Sequence, residues 1–216
     1  MTISKYDFFQ PLTEHEKEVA QHEAAHAVMT LTVPNDCVLA DTFVFHSGND
    51  DFLTGEVRHI NISSDPERPY NDMPPFHSTV PFKWQQAATL AYGALIVFFA
   101  GPAQTRLFFD DSMTAHDIRN DPSGQTDNKY AHELCCHFWM PEHVEQVLDI
   151  AAETAGVMIQ FPRIQGGILA LADFLNENKR RKATGIQASA IVRPHVPRQI
   201  DAPFLSAVLK LVKRHA

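Results

Sequence analysis

A chain of 216 residues carries 26 acidic against 18 basic side chains, a formal net charge of −8, and 44% hydrophobic residues. That length suits one domain with a sizeable core, or a domain with an appended tail. The densest basic run, Lys179 to Lys182, is too short to make a phosphate-binding face, which excludes nucleic acid as a partner.

The first element is a helix. Thr13 followed by Glu16 is a capping-box start, and Val19, Ala20, Ala24, Ala27, Val28 and Leu31 form an apolar stripe that Pro34 ends. Inside it the stretch Val19 to Val28, VAQHEAAHAV, holds His22, Glu23 and His26 in the order HExxH. Residues four apart share a helix face, so both imidazoles can aim at one cation, while Glu23 lies one position round, placed to reach a water in an open coordination site. These are the parts of metal-assisted hydrolysis: two zinc ligands and a general base. With 12 histidines in the chain the pattern arises by chance in about 3 of 100 shuffled sequences, so it needs support from elsewhere. The competing reading is a surface helix with two solvated histidines.

Cys37 to His46 is rich in β-branched and aromatic residues, and Leu53 to Ile60 alternates weakly. With SGNDD between them they read as an antiparallel hairpin, a candidate edge for an extended substrate. Asn61 to Phe82, broken by five prolines, reads as a long loop insertion. From Lys83 to Phe109 the chain is apolar almost all round, as a covered central helix should be. Its most apolar run, Ala87 to Ala100, is about 14 residues, short of a membrane span, and Gly101-Pro102 marks an expected kink or break.

The acidic stretch Asp110 to Asp127 follows, with a turn at Pro122-Ser123-Gly124. A helix beginning near Asp127, capped by Thr126, then runs to Trp139. Two amphipathic segments, from Pro141 and from Pro162, predict an antiparallel helical pair under the metal site. Residues 183–216 read as a C-terminal extension, with a short amphipathic helix at Phe204 to His215.

HEAAHAV at His22 to Val28, AGPAQT at Ala100 to Thr105 and SGQTDNKYA at Ser123 to Ala131 occur in the order of the AHEAGHA, AGxAAE and SGxxDxxxA motifs. In this respect the chain resembles the protease domain of FtsH-type zinc metallopeptidases over Glu14 to Asn178. The resemblance implies a mainly α (α+β) fold: a zincin-like metallopeptidase domain over residues 1–182, with a small β-hairpin or sheet beside the metal and a C-terminal helical bundle. It implies Zn2+ held by His22, His26 and Asp127, Glu23 as the catalytic base, and self-association of the C-terminal helices. Gln104 stands where the family usually has a glutamate, and no ATPase module or membrane anchor is expected here, so the expectation is an ATP-independent peptidase acting on unfolded or flexible chains. A zinc-bound module that holds peptides without cleaving them is the alternative. His116, Asp117, Asp121, His132 and Glu133 are rival third ligands by position alone. Cys37, Cys135 and Cys136 match no disulfide framework, and the opening MTISKYDFFQ has no basic and apolar leader, so a cytoplasmic protein is expected.

Overall fold

The computed structural model describes residues 13–35, 37–46, 53–61, 81–177 and 182–196. They form a mainly helical structure with one small sheet. Its elements are α1 (Glu14–Thr32), β1 (Cys37–His46), β2 (Leu53–Asn61), α2 (Pro81–Phe108), α3 (Ala115–Arg119), α4 (Gln125–Phe138), α5 (Val144–Ile159), α6 (Pro162–Glu177), β3 (Lys182–Thr184) and α7 (Gly185–Val192). The expected loop between 61 and 82 and the helix at Phe204 to His215 lie outside the described residues.

The capping box of α1 forms as its sequence predicts. The Thr13 hydroxyl accepts the Glu16 N–H, and the Glu16 carboxylate accepts the Thr13 N–H in return. This fixes the first turn of the helix that carries HExxH. The helix ends at Val33, whose extended backbone leads into Pro34.

β1 and β2 pair antiparallel from Cys37 opposite Asn61 to His46 opposite Leu53, with a register shift between Leu39 and Asp41. β3 joins the other side of β1, Thr42 opposite Ala183, giving the order β2-β1-β3. Among the described residues β2 therefore has a strand neighbour on one side only. The chain beyond residue 182 thus contributes a strand to this sheet.

α2 is the central helix, packed against α1, α4 and α5. Leu95, Ile96 and Phe99 on it are fully buried, each worth about 1.5–3 kcal/mol of hydrophobic burial. It continues as one helix through Gly101 and Pro102, so the expected kink or break is not a break. The stretch Ala88–Phe108 is long and apolar enough to cross a membrane, longer than the run visible in the sequence, yet 72% of its most apolar window is buried inside the protein.

α5 lies chiefly against α2, and α6 chiefly against α1. They do not pack mainly on one another as a pair, because each has its own long partner helix to cover. Buried side chains from all these helices merge into one core, with Met29, Phe99, Phe138, Leu148 and Ile168 among its largest members.

Candidate metal centre

One turn of α1 separates His22 from His26, and their Nε2 atoms lie 3.1 Å apart on the face turned to α2. Both residues are buried. Each ring is held from behind by its other nitrogen. Nδ1 of His26 donates to the Val97 carbonyl at 2.7 Å, and since a carbonyl only accepts, the proton sits on Nδ1 and leaves Nε2 to face the site. Nδ1 of His22 meets the Thr105 hydroxyl at 2.9 Å, and that hydroxyl donates onward to Glu18 at 2.8 Å.

The third group arrives from α4. Its launch is a single 3-10 turn, Pro122–Gly124, capped by Asp121, which accepts from the Ser123 N–H and hydroxyl and pairs with Arg106 at 3.2 Å. Gly124 seats against the ring of Pro102, where a Cβ would come within 2.1 Å of Cγ. A proline inside α2 and a glycine ahead of α4 are therefore one contact. α4 starts at Gln125 with Gly124 as its cap and no side-chain capping bond, so the expected Thr126 cap does not form: the loop arrives already braced by Asp121 and Arg106. Asp127 then lies in the first turn of α4.

Asp127 Oδ2 stands 3.5 Å from His26 Nε2 and 3.9 Å from His22 Nε2. A point equidistant from these three atoms lies about 2 Å from each, the bond length of zinc to imidazole nitrogen and carboxylate oxygen. The three residues form a group that could hold a metal ion, the only such group among the described residues. Gly101 completes the floor. A Cβ there would stand 2.2 Å from His26 Nε2 and 2.4 Å from His22 Nε2, so the helix can approach the imidazoles only without a side chain at this position.

Three electron-rich atoms converging in a buried place need a positive charge. Without an ion a proton supplies it. Burial works against a charged His26, yet the charge and hydrogen bond of Asp127, the nearby Glu23 and the Val97 carbonyl carry its pKa up to about 9. His22 goes the other way, to about 3, because burial and its charged neighbour His26 both disfavour a second cation. Burial also tends to raise Asp127, but the His26 and His22 charges and the His26 hydrogen bond hold its pKa below the usual carboxylate value.

Glu23 lies beside these residues on α1, 7% exposed, under β2. A Cβ on Gly55 would come within 2.1 Å of Glu23 Cγ, so a glycine in the strand makes room for this acid. Burial raises Glu23 to about 7, with Asp127, Glu56 and Glu18 pushing the same way and the His26 charge opposing. A carboxylate poised near neutrality suits proton transfer.

The rival ligands are engaged elsewhere. His116 contacts Asn120, the Asp117 carboxylate accepts from the Ser112 and Thr114 hydroxyls, Asp121 caps the 3-10 turn, His132 faces Cys136 and Glu145, and Glu133 is exposed. Gln104 is buried in a chain of amides, donating to Gln21 and accepting from Gln165, which ties α1, α2 and α6 together. The residue of AGPAQT that reaches a ligand ring is its neighbour Thr105. Sequence reasoning missed Thr105, Glu18, the Val97 carbonyl and the roles of Gly101 and Gly55. Only Glu18 left a signal, standing four residues before His22 on the same helix face. Comparison of the chain with models of known protein families gives no match, and comparison with curated proteins gives none.

Proposed function

We propose that this chain is a zinc-dependent peptidase, with His22, His26 and Asp127 holding the ion and Glu23 as general base. The observation that carries the reading is the convergence of two Nε2 atoms and one carboxylate oxygen around a point about 2 Å from each, beside a buried glutamate. A divalent ion at that place supplies a Lewis acid that acidifies water and polarises a carbonyl.

The chain's own residues account for the rest. Once His26 has released its second proton, His22 and His26 present bare Nε2 lone pairs, because their Nδ1 protons are committed to Thr105 and Val97. Glu23 takes the proton of the attacking water and returns it to the departing amine. The side of β2 that carries no strand among the described residues suits an extended peptide, which would add as a further strand above Glu23 at Gly55. An extended backbone is what an unfolded or flexible polypeptide offers, so such chains are the substrates this reading favours. Two imidazoles and one carboxylate also suit iron(II), and metal analysis of the purified protein decides between the ions.

The test pairs metal content with cleavage of an unfolded protein such as casein. Wild type should carry about one zinc per chain and cleave, while Glu23→Gln should keep the zinc and lose cleavage. Cleavage that survives this substitution removes Glu23 from its role. A zinc-loaded wild type that binds unfolded chains but never cuts them would leave a peptide-holding module as the function.

A further inference from the structure

Behind the proposed ligands lies a second set of contacts that the HExxH pattern does not include. Glu18 is a carboxylate only 7% exposed, and burying an acid is costly unless hydrogen bonds satisfy it. Its Oε1 accepts from the Thr105 hydroxyl at 2.8 Å, and its Oε2 lies 3.2 Å from Nδ1 of His15 at the surface. Thr105, also buried, has one hydroxyl proton. With that proton given to Glu18, the oxygen turns a lone pair towards His22 Nδ1 at 2.9 Å, so the ring must be the donor. A neutral imidazole with its proton on Nδ1 has a bare Nε2, and His22 Nε2 is the atom that faces His26 and Asp127.

We infer that Thr105 and Glu18 are positioning residues of the metal centre: Glu18, acting through the Thr105 hydroxyl, fixes the His22 ring and its tautomer so that Nε2 is the donor atom. This rests on the metal-binding reading of the site. The two histidines are held by different means. His26 leans on a main-chain carbonyl, which no side-chain substitution removes. His22 leans on two side chains from two helices, 83 and 87 residues apart in their hydrogen-bonded pairs, so its orientation depends on α1 and α2 staying in register. The carboxylate also strengthens the ring's donor power by polarising its N–H through the hydroxyl.

Thr105→Val keeps the branched shape and removes the hydroxyl. Zinc affinity, measured by competition with a chromophoric chelator, should fall about 10- to 100-fold, the range for losing a group that orients a ligand histidine. Thr105→Ser should restore it, and Glu18→Gln should lie between. Nitrogen-15 NMR of the metal-free protein gives an independent readout, since the two ring nitrogens of His22 report which carries the proton when no ion fixes it; their signature should change in Thr105→Val and persist in Thr105→Ser. Should Thr105→Val fail to fold, by circular dichroism, Glu18→Gln carries the test.

Equal zinc affinity in Thr105→Val and wild type, or an unaltered His22 nitrogen signature, overturns the inference. Equal affinity in Glu18→Gln removes the carboxylate from it. A wild-type chain that binds no zinc is a different result: it removes the metal centre itself, and the positioning role with it.

Discussion

Gly101→Ala adds one methyl group to the wall of the proposed metal site and alters no ligand. Alanine is the better helix former, by about 0.5–1 kcal/mol in a helix interior, so propensity alone predicts a more stable protein. The site predicts the reverse. The new Cβ would stand 2.2 and 2.4 Å from the two Nε2 atoms, closer than the 3.0 Å that real Cβ contacts respect. One or both rings must retreat by close to 1 Å, and each is tied behind by an Nδ1 hydrogen bond of 2.7 or 2.9 Å. Breaking such a bond in a buried place costs about 1–3 kcal/mol, so the metal-free variant should lose about 2 kcal/mol net in denaturant unfolding. Zinc affinity by chelator competition should drop at least about a hundredfold, because a displaced ring no longer reaches the ion. Gly167→Ala is the control. It also lies in a helix, but its added Cβ meets Val192 and Val28 methyls at 3.5 and 3.7 Å and His195 Cβ at 3.8 Å, all ordinary van der Waals contacts, so it should leave zinc binding unchanged. Wild-type zinc affinity in Gly101→Ala would refute the placement of the ion between these rings and α2.

The remaining predictions concern the proton and the launch of α4. His26 has a metal-free pKa raised to about 9, so below that pH its proton must leave before a cation can bind, and apparent zinc affinity should rise about tenfold per pH unit towards pH 9 and then level off. Glu23, held near 7 by burial, gains its charge over the lower part of that range and should steepen the curve below about pH 7. Titration calorimetry in buffers of different ionisation enthalpy would count the protons released, and a flat profile from pH 6 to 9 would contradict the assignment. Asp121→Ala removes the cap of the 3-10 turn and leaves Arg106 short of its carboxylate partner, which should lower stability by about 2–4 kcal/mol in urea unfolding. The same variant should weaken zinc binding, because that turn delivers Asp127; an unchanged midpoint would show that the loop needs no such brace.

How far the sequence reached follows the range of the forces involved. The α1 helix, its capping box and the shared face of His22 and His26 were legible because a 3.6-residue period and a cap are local properties, settled within a few turns of chain. The hairpin was legible for the same reason, its strands being adjacent in sequence. α2 ran on through Pro102 because contacts with α1, α4 and α5 surround it, and those partners are invisible in the proline's own neighbourhood.

The third member of the candidate metal group shows the division most clearly. Loop pattern picked Asp127, but spacing alone left His116, Asp117, Asp121, His132 and Glu133 open, since nothing local says which of them a fold will carry across to α1. Tertiary packing decided it: Gly124 on Pro102 and Arg106 on Asp121 set the start of α4, and that brings one carboxylate within 3.5 Å of an imidazole 101 positions earlier. Thr105, the Val97 carbonyl, Gly101 and Gly55 belong to the same class. Each matters through an atom that touches α1 from a distant part of the chain, and contact at such separation is a property of the assembled core, which no window of sequence contains.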